Sequence, residues 1–299
     1  MDEKFYYKKN GRFHSKYDGF KNISFRDILK WKFETRGKKR ENFQLEKKIE
    51  TEKLKTKKDY IVWLGHSTFL IQISGKRVLT DPVFGDVPLH KRISSTPYQV
   101  SDLPKIDYVL ISHSHYDHLD IRSMRSISKF SNPKILVPLG IKKYLQKFEN
   151  VFELDWFESL NDNLKIKFLP AKHWGRRGAF DLNRSLWGSF LVENIYFAGD
   201  TSYSDHFKMI GNSERVDIVL IPIGAYKPEK IMKSNHINPM EAVQSSLDLG
   251  VNFAIPMHYR TFKLSDEPLA EPMELFLKEA KERNLNVKTP KLGELLYLN

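Results

Sequence analysis

The sequence predicts a mixed α/β fold, and three observations carry that expectation. Short apolar runs recur from residue 60 onward, segments of helical spacing alternate with them, and glycines, prolines and polar clusters punctuate the two. In order, "YIVWLGH" from Tyr60, "STFLIQISG" to Gly75 and "KRVLTD" (76–81) read as strands, and "DYVLISH" (107–113) as a buried one. "DIRSMRSISKF" (120–130) is expected to be a helix capped by Asp120, "KILVP" a strand, "IKKYLQKF" a helix and "LKIKFLPAKH" (164–173) a strand. "SLWGSFLVE" and "NIYFAGD" suggest a hairpin pair, followed by a strand in "DIVLIPIG" (217–224). "NPMEAVQSSLDLG" (238–250) has helical spacing and a glycine stop, "FAIPMHY" (253–259) is a strand and "EPMELFLKEAKERN" (271–284) a helix. Strand–helix units in both halves are compatible with two packed sheets in one body, residues 59–299.

With 299 residues, 40% of them hydrophobic, the chain has ample material for a packed core. It has no cysteine, which excludes disulfides and thiolate metal sites; any metal must be held by nitrogen and oxygen. The net charge of +12 is concentrated at one end. Residues 1–58 hold 19 Lys and Arg against 9 Asp and Glu, while the body holds 30 against 28. The body is therefore nearly neutral and follows a basic N-terminal arm, residues 1–58. Within the arm, "SFRDILKWKF" (24–33) sets Phe25, Ile28, Leu29 and Phe33 at helical spacing behind Ser24 and Asp27, which resemble a capping box. Such a segment could lie weakly on an anionic membrane surface or pack on the body. Residues 46–58 read as a linker or exposed helix. No apolar signal region opens the chain and no apolar stretch approaches ~18 residues, so the expected location is cytoplasmic, peripheral at the membrane where the arm makes contact.

The densest chemistry lies in "LISHSHYDHLD", residues 110–120. Alternate residues of an extended chain point the same way, so His113 and His115 can grip one ion. A turn after Tyr116 would send Asp117 and His118 toward a second. Four ligands in six residues cannot complete two coordination spheres, so others must come from later in the chain. His173, Asp200 and His258 each end an apolar run and are the candidates. His66 in "WLGHST" and Asp81 in "LTDP" suit supporting or turn-capping roles. "GRRG" (175–178) suits a phosphate contact or an exposed basic loop, and Trp63, Trp156, Trp174 and Trp187 suit core or pocket wall.

H-x-H-x-D-H followed by histidine and aspartate at later strand ends resembles the metallo-β-lactamase fold superfamily over residues 60–299. "WLGHSTFLI", "LTDPVF", "LPKIDYVLISHSHYDHLD", "HW", "LWGS", "FAGDTSY", "IPIGAY", "HINPMEAV" and "MHYRTF", in this order, are similar to N-acyl-phosphatidylethanolamine-hydrolysing phospholipase D and its bacterial relatives. The resemblance implies a four-layer αββα sandwich with a two-metal hydrolytic site. It implies two zinc ions, with Mn2+ or Fe2+ as alternatives. His113, His115 and His173 would hold one, Asp117, His118 and His258 the other, and Asp200 would bridge them. Asp117 and His236 are the candidate catalytic residues, His236 orienting or protonating the phosphate and leaving group.

The implied activity is phosphodiester hydrolysis of the phospholipase D type by a hydroxide shared between the metals. The implied partners are a phospholipid or other small phosphodiester, a membrane surface touched by the arm, and a second copy in a homodimer. A lactonase acting on a sugar-acid phosphate lactone is the alternative. A nuclease or a non-catalytic scaffold of the same fold comes after it, since the near-neutral body makes nucleic acid an unfavoured partner.

Overall fold

A strand buried at every position is covered on both faces, and the two strands that follow Asp59 are of that kind. The computed structural model of the chain, which describes residues 5–17 and 43–298, shows how the cover is arranged. A hairpin of β1 (Tyr6–Lys9) and β2 (Arg12–Ser15) comes first. Then come β3 (Tyr60–Gly65), β4 (Thr68–Ile73), β5 (Lys76–Thr80), β6 (Tyr108–Leu110), β7 (Lys134–Pro138) and β8 (Val151–Leu154). A second group holds β9 (Ser159–Asn161), β10 (Lys165–Leu169), β11 (Ser189–Val192), β12 (Ile195–Phe197), β13 (Ile218–Pro222) and β14 (Phe253–Met257). The final strand, β15 (Leu295–Tyr297), returns to the first group, giving a seven-stranded sheet in the order β15-β3-β4-β5-β6-β7-β8. The other sheet runs β14-β13-β12-β11-β10-β9. Both sheets mix antiparallel and parallel pairing, with β5 to β8 parallel in one and β12 to β14 parallel in the other.

The helices are α1 (Ile121–Phe130), α2 (His206–Ser213), α3 (Glu229–Met232), α4 (Pro239–Leu249) and α5 (Glu271–Glu282). Alternation along β3 and β4 splits their side chains between two cores. Ile61, Trp63, Phe69 and Ile71 join Phe190 and Leu220 between the sheets. Tyr60, Val62, Leu64 and Leu70 face the other way, onto Met124 and Ile127 of α1. On the second sheet α4 packs against β13, flanked by α2 and α5. The layers are therefore helix, sheet, sheet, helix, as the resemblance implies. Each large apolar side chain so buried contributes roughly 1.5–3 kcal/mol, which is why the strands hold position rigidly at their ends.

Local signals set several boundaries. The Asp120 carboxylate accepts the amides of Arg122 (3.2 Å) and Ser123 (3.1 Å), starting α1. Asn238 and Glu241 cap α4 reciprocally, and Gly250 ends it at φ +71°. Ser74 and Gly75 both have positive φ, the two-residue turn that suits the twist of the β4–β5 hairpin.

Other stretches depart from expectation. "IKKYLQKF" forms only a 3-10 turn, Lys142–Tyr144, within a run of short-range bonds such as Tyr144 N–H to Ile141 O (2.9 Å). Eight residues are too few to propagate a helix unaided, and Glu153 of β8 takes the amides of Gly140 and Lys142. Residues 46–58 form a 3-10 turn over Thr51–Lys55 with Leu54 buried, not an exposed helix. Residues 5–17 pack on the body: Phe13 and Tyr17 are buried, and Phe13 N–H donates to Asn183 O (2.8 Å). The expected amphipathic segment 24–33 lies outside the described residues. Among the described residues no helix is long and apolar enough to cross a membrane.

Candidate metal centre

Rigid strands place the candidate residues at one edge of the two sheets. His66 follows β3, Asp81 follows β5, the 113–118 segment follows β6, His173 follows β10, Asp200 follows β12 and His258 follows β14. His66 (φ +55°), Asp81 (φ +31°) and His258 (φ +62°) adopt left-handed backbone conformations. Such conformations cost about 1–3 kcal/mol each and persist where the surroundings impose them. Here His66 N–H donates to Thr261 Oγ1 (2.7 Å), His258 N–H to His66 O (3.1 Å) and Asp81 N–H to Leu110 O (2.9 Å). The strained turns send three side chains inward rather than along the strands.

The inward side chains fall into two adjoining groups. In one, His113 Nε2 lies 2.8 Å from His115 Nδ1, which lies 3.3 Å from His173 Nε2. In the other, Asp117, His118 and His258 gather with His66, each bringing a donor atom within 4.8 Å of the rest. Asp200 stands between them. Its Oδ2 is 4.0 Å from His173 Nε2 and 3.2 Å from His118 Nε2, and its Oδ1 is 3.1 Å from His258 Nε2. His236 completes the wall, with Nδ1 3.8 Å from Asp200 Oδ2 and 14% of its side chain exposed. All eight residues singled out in the sequence for metal or catalysis thus meet in one place.

Several of their polar atoms approach one another without forming a hydrogen bond. Buried and without a hydrogen-bonding partner are His115 Nε2, His118 Nε2, Asp200 Oδ1, His236 Nδ1 and His258 Nε2. Leaving several buried polar atoms unpaired is costly unless a further group satisfies them. Imidazole nitrogens and carboxylate oxygens converging this way suit divalent cations, so the residues present fit a metal pair.

Residues 76–259 match the model of the beta-lactamase superfamily domain. The chain belongs to that superfamily. A metal-dependent hydrolase of Caldivirga maquilingensis is 27% identical over 68% of this chain and 83% of its own length. The N-acyl-phosphatidylethanolamine-hydrolyzing phospholipase D of Saccharomyces cerevisiae is 39% identical over 72% of this chain and 50% of its own length. Phospholipase D 1 of the same description from Caenorhabditis elegans is 37% identical over 79% of this chain and 75% of its own. Among solved structures, the metallo hydrolase Igni18 of Ignicoccus hospitalis superposes with a TM-score of 0.65 at 21% identity, covering 81% of this chain and 98% of that one, and so shares the fold.

Around this superfamily site, a surrounding layer fixes the orientation of the inward groups. Asp81 Oδ2 lies 2.6 Å from His118 Nδ1, and the same carboxylate accepts from Ser112 N (2.7 Å) and Ser112 Oγ (2.5 Å). That leaves His118 Nε2 to face Asp200, and it assigns Asp81 an orienting role. His173 Nδ1 lies 2.9 Å from Asn235 O, which turns Nε2 toward His115. His66 Nε2 sits 3.1 Å from Asp117 Oδ2, so His66 contacts the site directly.

Two partners were not legible in the sequence. Thr201 Oγ1 accepts the amide of Lys172 (3.0 Å) and its carbonyl accepts that of Ile237 (2.9 Å), joining the neighbours of His173, Asp200 and His236. Arg177 turns Nη1 onto the carbonyls of Ser114 (3.1 Å) and Leu119 (2.6 Å), so half of the "GRRG" pair shapes the ligand segment and is not an exposed basic residue. Trp63, Trp156 and Trp187 are buried, and Trp174 lies edge-on to His115 at 4.5 Å between centroids.

Charge divides the two groups. Burial holds the imidazoles of His113 and His173 well below their ordinary pKa and pushes His115 down to about 4. Burial also opposes a charged His118, but Asp200, Asp117 and Asp81 outweigh it and hold that imidazole well above its usual value. His258 rises to about 9 against its own burial under the pull of Asp200 and Asp117. Burial works against ionising Asp117 and Asp200, yet His118 and its neighbours keep both pKa values well below the usual carboxylate range.

Proposed function

We propose that the protein is a dinuclear metal-dependent phosphodiesterase that hydrolyses N-acyl-phosphatidylethanolamine-like lipids in the manner of a phospholipase D. The observation that carries this reading is the two groups of donor residues with Asp200 between them, together with the partnerless donor atoms of His118, His258 and Asp200. The phospholipase D activity of the yeast and nematode relatives supports this substrate class. His113, His115 and His173 would hold one cation, Asp117, His118 and His258 the other, and Asp200 both; zinc suits this nitrogen and oxygen set, with Mn2+ or Fe2+ as alternatives. When bound, such a pair supplies Lewis acidity toward a phosphoryl oxygen and makes a water nucleophilic near neutral pH.

The chain's own residues do the rest. Asp117, held by His66, aims one carboxylate oxygen into the site and can accept a proton from the attacking water. Burial pushes the His236 imidazole down to about 4, so it is neutral at neutral pH and offers an N–H to a phosphoryl or leaving-group oxygen. Its partnerless Nδ1 beside Asp200 is free for that contact. The strand ends and the 113–119 segment keep these groups in place while substrate is exchanged. We place the activity in the cytoplasm, peripheral at the membrane.

A substrate panel tests the reading. Metal-loaded protein should convert N-acyl-phosphatidylethanolamine to phosphatidic acid and an N-acylethanolamine, and should be slower on simple diesters, sugar-acid lactones and single-stranded RNA. Turnover of lactones alone overturns the assignment.

A further inference from the structure

Two apolar side chains stand out from the surface. Leu89 is 95% exposed and Phe180 85%, the highest values among the exposed large hydrophobic side chains described. Both ride on loops that leave directly from the metal centre, residues 82–94 after Asp81 and residues 174–185 after His173. Both loops are tied to the segment that carries the ligand cluster. Arg122 Nη2 donates to Asp86 O (2.6 Å) and Phe84 N–H to Ser123 Oγ (2.8 Å) on one side. Tyr116 OH donates to Arg177 O (2.8 Å) and Arg177 Nη1 to Leu119 O (2.6 Å) on the other. Tyr116 itself, between His115 and Asp117, is 42% exposed, and Met240, four residues beyond His236, is 41% exposed.

The folded monomer gains nothing from these tips. Leu89 adopts φ +68°, a left-handed conformation that asparagine or glycine would hold with less strain, and then presents its side chain to water. Exposed cations accompany both tips: Lys91 beside Leu89, and Arg176 and Arg184 on either side of Phe180. The acidic groups nearby are engaged, the exposed Asp86 with the Arg92 amide (2.8 Å) and the half-buried Asp181 with Tyr144 OH (2.6 Å) and the Gly178 amide (2.7 Å). Apolar tips flanked by exposed cations, on loops that lead from the metal centre, match the interfacial layer of an anionic bilayer.

We propose that the 82–94 and 174–185 loops dock the protein on an anionic lipid surface, Leu89 and Phe180 entering the acyl boundary while Lys91, Arg176 and Arg184 meet the headgroups. This rests on the reading that the substrate is a lipid. It assigns docking to the rim of the site itself, so that a lipid headgroup is delivered at the metal centre without leaving the bilayer.

Sedimentation of the full-length, metal-loaded protein with vesicles tests it without any turnover. Binding is expected to vesicles of phosphatidylcholine with phosphatidylglycerol, weaker to phosphatidylcholine alone, and reduced by salt. Leu89→Asp and Phe180→Asp should each lower partitioning by roughly tenfold or more, the size expected for losing one buried large apolar side chain. Leu89→Trp, which leaves the backbone donors untouched, should add fluorescence that brominated acyl chains quench; Ile49→Trp and Leu277→Trp, exposed elsewhere, should not. Equal quenching at all three positions, or Asp variants that bind like wild type, overturns docking by the rim and points to the N-terminal arm or another face. Wild-type protein that stays in the supernatant overturns docking altogether, while hydrolysis of detergent-dispersed lipid would still uphold the phosphodiesterase reading. Asp variants that change the oligomeric state in solution without changing vesicle binding assign the tips to a contact between copies.

Discussion

The two halves of the candidate metal centre share buried imidazoles and behave oppositely. His113, His115 and His173 form an all-imidazole half in which burial keeps the rings neutral. Asp117, His118 and His258 form a mixed half in which buried carboxylates hold protons on the rings. A neutral half offers lone pairs directly, whereas the mixed half must release protons as a cation enters. Asp200 touches both and is the one residue whose loss should abolish the distinction.

Asp200→Ala therefore carries the largest expected effect: metal content falling from two per chain to fewer than one, and turnover disappearing. Elemental analysis beside an assay reads both, and full metal content in the variant would refute the shared role. His236→Ala should keep both metals and lose ~10²–10⁴ in rate, the range for an acid–base or hydrogen-bonding assistant. Unchanged kinetics would return His236 to a bystander in the loop before α4.

A sharper test is asymmetric. Asp81→Asn weakens the acceptor that orients His118 directly and His113 only through Ser112, so the mixed half should lose about 10–100-fold in metal affinity and the imidazole half less. Competition with a chelator, yielding one tight and one weakened step, would show the split; equal weakening of both steps would mean that the halves do not bind independently.

The smallest effect concerns the layer behind Asp200. His206 is buried against Tyr17 and Thr201, and burial lowers its pKa to about 3 from an ordinary 6.5. Above the ordinary value the group is neutral folded or unfolded and contributes no pH dependence. As pH falls below it, the unfolded chain takes up the proton and the native chain does not, so stability falls by roughly 1.4 kcal/mol per pH unit until the folded value is reached. Urea melts of metal-free protein should show this acid limb, and His206→Phe should flatten it by about that slope. An unaltered limb would mean that other groups dominate the acid loss.

Much of the body was legible. The strands at β3, β4, β7, β13 and β14 are long apolar runs whose pattern admits little else, and Asp120, Asn238 and Gly250 are local signals that act through their own neighbours. The same logic failed where tertiary contacts outvote local pattern. "IKKYLQKF" reads as a helix, but it packs beside β8 and closes into a 3-10 turn over Lys142–Tyr144. "FYYKKNGRFHS" carries basic charge that suggests a solvated arm, yet its alternation of Tyr6, Phe13 and Tyr17 with lysines supports a packed hairpin. Its Phe13 reaches Asn183, itself bonded to Gly175 two residues after His173, so the N-terminus buttresses a site loop.

What the sequence by itself determined is the inventory: H-x-H-x-D-H after one apolar run, with His173, Asp200 and His258 closing three others. Strand ends are fixed by local burial, so residues there can be read as candidates from order along the chain. What only the tertiary structure decided is that His66 joins one of the two groups, and that Asp81, Thr201 and Arg177 hold the arrangement. Those hydrogen bonds link residues 29 to 58 positions apart, and three of the side chains hang on left-handed turns at His66, Asp81 and His258, so no pattern of short range specifies them. Distances and angles between strand ends are set by how two sheets pack, which is a property of the whole core and not of any segment in it.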